Sequence, residues 1–161
     1  MKLKAIFMSA SSLPDAIEAA SQTGSADELL NATIRHFGCQ AGTVHQLTSA
    51  GVLELIAHCG IPPPVVQIVR TVPIGKGIAG LSAQRQEPIT ICNLQTDLSG
   101  QARPGAKATG MEGSVAVPML VNGALRGVLG IAKATAYDWS LEETTLLMAI
   151  AASLGQRLAQ S

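Results

Sequence analysis

The dipeptide Asn122-Gly123, set between two apolar runs at 114–121 and 124–133, constrains the fold of this 161-residue chain more than any other feature. A two-residue type I′ turn needs positive φ at both central positions, and Asn-Gly supplies it at low steric cost. The runs on either side are therefore read as paired antiparallel strands. A second antiparallel pair is expected earlier, from strands near 43–47 and 52–58 joined by Ser49-Ala50-Gly51.

Helices frame these hairpins. Ser25-Ala26-Asp27-Glu28 has the form of a capping box, and Leu29, Leu30, Thr33, Ile34 and Phe37 follow at helical spacing until Gly38. Before it, Leu13, Ala16, Ile17 and Ala20 suggest a shorter helix closed by Gly24. Ser140 caps a last helix, to about residue 159, with Leu147, Ile150, Ala151, Leu154 and Leu158 on one stripe. Beside it lies a stripe of Met148, Ala152, Gly155 and Ala159. One sheet face cannot cover both, so the second is expected to meet a partner helix. Between the hairpins, Ile61-Pro62-Pro63-Pro64 breaks the sheet, a short helix is expected over 78–85, and Pro88 opens a strand through Cys92. Residues 97–113 hold four glycines and one proline without periodicity and read as a long irregular loop. The order predicts an α+β fold with an antiparallel sheet, a helical lead-in at 1–24 and one domain at 25–161.

Composition narrows function mainly by exclusion. Apolar residues make up 47% and charged residues 14%, with Lys+Arg equal to Asp+Glu, so no net field draws the chain to nucleic acid or an anionic membrane. Four aromatics, Phe7, Phe37, Tyr137 and Trp139, are too few for base-stacking platforms. The apolar run at residues 5–8 is shorter than the roughly 7–15 residues of a signal-peptide core. No apolar stretch approaches the roughly 18 residues of a membrane span, so the chain is expected to be cytoplasmic. Cys39, Cys59 and Cys92 are widely spaced and form no C-x-x-C, which signals neither a disulfide framework nor zinc. His36, His45 and His58 are read as packed or surface residues, and no metal is assigned.

Gly75, Gly77 and Gly80 spell G-x-G-x-x-G, the pattern of a dinucleotide loop. That loop needs a long parallel strand before it and a helix of several turns after it, inside a βαβ unit. Here the preceding strand covers only 71–74, the helix ends by Arg85, and no further βα units follow. Nor does Ser or Thr follow Lys76 as a P-loop requires. The glycines are read as structural: Gly75 and Gly77 make a sharp turn, and Gly80 brings the short helix close to the sheet.

The segment Val72-Pro73-Ile74-Gly75-Lys76-Gly77-Ile78-Ala79-Gly80 resembles the glycine-bearing helix entry of GAF domains. Ser114-Val115-Ala116-Val117-Pro118-Met119, followed by Gly123, Gly127, Val128 and Leu129, resembles their central hairpin. Trp139-Ser140-Leu141-Glu142-Glu143, leading into Leu146-Leu147, is similar to the start of their final helix. The three motifs stand in the family's order, over roughly residues 25–159. The resemblance implies a six-stranded antiparallel sheet with the first and last helices on one face. The short helix and long loop would enclose a pocket on the other. GAF domains bind cyclic nucleotides, tetrapyrroles, 2-oxo acids, amino acids or gases, and commonly dimerise through their terminal helices.

Individual branches of the family fit less well. The branch that reduces free methionine sulfoxide uses cysteines around the pocket, whereas Ala79 stands at its helix-entry cysteine and residues 97–113 contain none; Cys92 is the one thiol left to test. Bilin carriers need a cysteine in or near the same loop, usually beside histidine. Of the cyclic-nucleotide signature, Lys133, Trp139 and Glu143 are matched, but Ala132 and Thr144 replace Asn and Glu. A Lys133–Glu143 ion pair is one expectation there. The resemblance thus implies a non-catalytic sensory or regulatory domain without a resident cofactor. It would bind a small, anionic or polar metabolite and signal through its terminal helices, in a homodimer, to an output domain or partner protein. The pocket is expected to be enclosed by Ile78, Leu81, Ile91 and Met111, with Arg103 or Lys107 as charge-assisted donors. A ligand-free dimerisation scaffold is the alternative, and a thiol-dependent reductase the third reading.

Overall fold

The computed structural model describes residues 13–160, so residues 1–12 of the helical lead-in lie outside the described residues. The elements follow as α1 (Asp15–Thr23), α2 (Ala26–Phe37), β1 (Ala41–Leu47), β2 (Val52–Cys59), α3 (Pro63–Val69) and β3 (Thr71–Pro73). Then come α4 (Gly77–Arg85), β4 (Ile89–Ile91), α5 (Pro104–Lys107), β5 (Gly113–Val121), β6 (Ala124–Lys133) and α6 (Leu141–Gln160). The strands form one six-stranded sheet in the order β3-β2-β1-β6-β5-β4, antiparallel at every pairing.

Local chemistry accounts for many of the boundaries. Asn122 and Gly123 have φ of 52° and 81°, as the β5–β6 turn demands. The Ser25 hydroxyl accepts from the Glu28 amide at 3.2 Å, and the Glu28 carboxylate accepts from the Ser25 amide at 2.8 Å. A second capping box of the same form, between Ser140 and Glu143, opens α6. Gly38 ends α2 in the left-handed region at φ 65°.

The sheet is covered on both faces. Leu30 and Ile34 of α2 and Ile150 and Leu154 of α6 pack on Val44, Met119 and Leu129 in the larger core. On the opposite face, Ile78 and Ala83 of α4 join Leu53, Val72, Ile91 and Val128 in a smaller one. Strand periodicity sorts side chains between the faces, and register irregularities interrupt it in the β1–β2 pair and at Met119/Leu120 of the β5–β6 pair. The β1–β2 register passes from Val44↔Ala57 to His45↔Leu55, leaving Ile56 as an extra residue, so Ala57 packs in one core and Leu53 in the other. Arg157 of α6 donates to the carbonyls of Ala20 and Ser21, tying the last helix to the end of α1.

Two expectations need correction. Residues 97–113 are not wholly irregular: Pro104 starts the single turn α5, a position where its missing N–H costs nothing, and Gly113 already belongs to β5. Gln95 also braces the segment, donating to the carbonyls of Lys107 and Met111. On α6, Gly155 does not share an outer stripe with Met148, Ala152 and Ala159. It is buried on the sheet, where an added Cβ would stand 3.1 Å from the Met119 Cβ and 3.0 Å from Val121. Met148 and Ala152 are half-buried and Ala159 exposed. Among the described residues no helix is long and apolar enough to cross a membrane.

Candidate functional site

Opposite the terminal helices, the sheet carries unusually small side chains. Ala41 and Thr43 of β1, Ser114 and Ala116 of β5, and Gly130 and Ala132 of β6 form a shallow floor. Larger residues there would fill the space. Instead α3, α4 and the segment through α5 roof over a cavity of about 150 Å³, a volume suited to a guest of roughly benzene size. Val65, Ile68, Val69, Val72 and Leu94 make much of the wall apolar.

The glycines of the 75–80 segment shape one side of this cavity. Gly75 and Gly77 take φ of 88° and 72°, turning the chain from the sheet edge into α4. Gly80 presses α4 on the end of β3, where an added Cβ would stand 2.5 Å from the Pro73 carbonyl oxygen. β3 pairs only antiparallel with β2, so the parallel setting of a dinucleotide loop is absent there. An added Cβ on Gly77 would lie 3.0 Å from Arg103 Cδ, which means the Arg103 stem crosses the first turn of α4. Among the described residues no side chain caps that turn, which leaves its first amides without intrahelical acceptors.

Among the expected pocket residues, Ile78, Arg103 and Met111 line the cavity. Leu81 and Ile91 do not: Ile91 is buried in the smaller core, and half-buried Leu81 packs against it. Lys107 does not either, its ammonium being held on the Asp97 carbonyl. Lys76 lines the cavity as well. Arg103 and Lys76 are exposed at its mouth, and neither side chain has a hydrogen-bond or ion-pair partner among the described residues.

His45, read from sequence as a packed or surface residue, is a further part of the wall and is 2% exposed. Its Nε2 lies 2.8 Å from the Val69 carbonyl oxygen. Because a carbonyl only accepts, Nε2 carries the proton and Nδ1 of the neutral ring holds a lone pair. Nδ1 has no partner. The signal for this role is non-local, since Val69 lies 24 residues away.

Burial pushes the His45 imidazole below its ordinary pKa, against the opposing pull of the Val69 carbonyl. The unfolded chain therefore takes up this proton more readily than the folded one. Stability is complete above the unfolded value, about 6.5 for histidine, and declines as pH falls below it. Thermal melts across this range are expected to show that decline in the wild type and less of it in His45→Phe. Equal pH slopes in the two proteins would remove His45 as the cause.

The thiols lie elsewhere. Cys39 is buried, Cys59 half-buried and Cys92 exposed, and none lines the cavity. Burial pushes Cys39 up to about 11. The hydrogen bond with the Asp138 side chain, first of its causes, raises Cys92. Neither direction favours the thiolate a redox nucleophile needs. Among the described residues no group of three or more His, Cys, Asp and Glu is placed to hold a metal ion.

The residues that partly match a cyclic-nucleotide signature form a brace instead of a site. Lys133 donates to the carbonyls of Phe37 and Gly38 and lies over the Tyr137 ring, 4.5 Å from its centroid. Glu143 accepts from Ser140 and the Tyr137 hydroxyl. Burial raises the Glu143 pKa, but these hydrogen bonds, with Lys133 adding at longer range, leave it lowered.

A comparison with curated proteins finds no sequence match. Solved structures share the fold. The chain is similar to the GAF domain of an Acinetobacter phosphoenolpyruvate-protein phosphotransferase at 19% identity, TM-score 0.75, over 89% of each chain. It is similar to the GAF domain of the Coxiella burnetii phosphoenolpyruvate-protein phosphotransferase at 21% identity, TM-score 0.70, over 98% of this chain and 90% of that one. A free methionine-R-sulfoxide reductase from Neisseria meningitidis, solved with its substrate, is similar at 17% identity, TM-score 0.70, over 89% of this chain and 84% of that one. The GAF domain profile itself matches residues 19–159. A profile match over most of its length, with the same six-stranded architecture around it, shows that the chain belongs to the GAF domain family.

Proposed function

We propose that this GAF domain is a non-catalytic cytoplasmic sensor whose cavity binds a small anionic metabolite. The observation that carries the reading is the charge of the cavity mouth. Two cations without partners among the described residues, Arg103 and Lys76, stand beside the first turn of α4, in front of an apolar interior. Charge-assisted donors and helix-terminal amides stabilise a carboxylate or phosphate there. The enzyme reading, prompted by the reductase fold neighbour, lacks a thiol at the cavity. In this proposal the domain is a homodimer, contacting its partner along Met148, Ala152 and Ala159 of α6, and signals to an output domain or partner protein through the terminal helices.

Isothermal titration of a panel of small carboxylates and phosphates tests this. Arg103→Ala is expected to weaken a bound anion by about tenfold or more, with stability nearly unchanged because Arg103 is exposed. Unchanged affinity would take Arg103 out of the site. Native mass spectrometry showing a dimer that retains none of the panel would favour a ligand-free scaffold, and turnover of methionine sulfoxide with a thiol reductant would restore the enzyme.

A further inference from the structure

We propose that His45 selects the ligand of this cavity by accepting a hydrogen bond at Nδ1, and that the ligand is a small hydroxy acid whose carboxylate faces Arg103 and the first turn of α4. The inference rests on the small-anion reading above and adds the second recognition group. Strand alternation, regular along β1 against β6, puts His45 on the cavity face of β1 beside Thr43. The Val69 carbonyl fixes the ring tautomer, so the group presented to a ligand is an acceptor and not a donor.

A polar nitrogen this deeply buried rarely lacks a partner in a native protein, and the described residues supply none to Nδ1. A guest carrying a donor would. Nδ1 is closed to solvent, so the guest reaches it by displacing a side chain of the cavity wall.

The charge of that donor follows from the lining. None of the residues around the cavity is Asp or Glu. A buried ammonium would have no counter-charge and would lose its hydration, which argues against an amino acid. An oxo acid would set its carbonyl lone pairs against the lone pair of Nδ1. A hydroxyl meets the requirement: it is neutral, it donates, and its carbon can carry the carboxylate toward the mouth.

Four probes of nearly equal size separate these cases: lactate (both enantiomers), propionate, pyruvate and alanine. Titrated into the full chain, one enantiomer of lactate is expected to bind about fivefold tighter than propionate. Pyruvate should gain nothing over propionate, and alanine should bind worst. In His45→Phe the lactate-to-propionate ratio should fall to about one while propionate still binds. In nitrogen NMR of imidazole-labelled wild type, lactate should move the Nδ1 resonance and propionate should leave it, a readout that stands even if His45→Phe does not fold.

A hydroxyl that brings no affinity in the wild type, a preference that survives in His45→Phe, or an unmoved Nδ1 resonance overturns the assignment. Propionate binding that is lost in Arg103→Ala, with no gain from the hydroxyl, overturns the His45 role alone and leaves the anion reading standing. If none of the four acids binds, the hydroxy-acid assignment falls, and the anion reading is decided by the wider panel of carboxylates and phosphates.

Discussion

Ile150→Ala is expected to destabilise the protein by about 3 kcal/mol, as truncating a buried aliphatic side chain typically does. Ile150 is 0% exposed and sits in the larger core, between α6 and the sheet. Its removal forfeits the buried methylenes and leaves a hole that Met119, Leu129 and Leu147, each almost fully buried, have little freedom to fill. For a chain of this size the melting temperature should fall by roughly 6–12 °C. The far side of the sheet holds the cavity, so anion affinity in the folded fraction should stay within about twofold. A loss of less than 1 kcal/mol, roughly, would mean that this face is far less tightly packed than the structure shows.

Gly80→Ala should cost about 2 kcal/mol, in the range of overpacking substitutions. Its added carbon would lie 2.5 Å from the Pro73 carbonyl oxygen and 3.1 Å from the Gly75 amide nitrogen. Both neighbours are backbone, and no rotamer change relieves the clash. The Gly75 amide donates to the Gly80 carbonyl at 2.8 Å, so pushing α4 away also strains the turn that places Gly77 and Arg103. Weaker anion binding is expected to accompany the lower melting temperature. A phosphate-approach role for this glycine would instead leave the ligand-free protein unharmed, and a melt identical to the wild type would decide for that role.

Much of the fold was legible because its signals are short-range. Asn122-Gly123, Ser25 with Glu28, and Gly38 act within four residues, so their meaning survives without tertiary knowledge. Where the outcome depended on distant partners, reading failed. Gly155 looks like part of an outer stripe until Met119 and Val121 are placed against it. Leu81 and Ile91 have the right polarity for a pocket wall, yet α4 and β4 turn them into the smaller core. Lys107 looks as free as Arg103 in sequence, but the fold brings its ammonium to the Asp97 carbonyl. The Ile56 bulge leaves no mark in β2 composition, and the contact of His45 with the Val69 carbonyl depends on where α3 comes to lie, 24 residues on. Arg103, Ile78 and Met111 line the cavity because the glycine turn and the segment through α5 bring them to one side of the sheet.

The two sides of β5 and β6 are one peptide unit apart. Ser114 and Ala116 floor the cavity while Val115 and Val117, between and beyond them, belong to the larger core; Gly130 and Ala132 stand in the same relation to Leu129 and Ile131. The floor is therefore the underside of the surface on which α2 and α6 rest. In the proposed sensor, a guest that bows those strands would also shift the seat of both helices, and occupancy would be communicated across the thickness of a single β-layer.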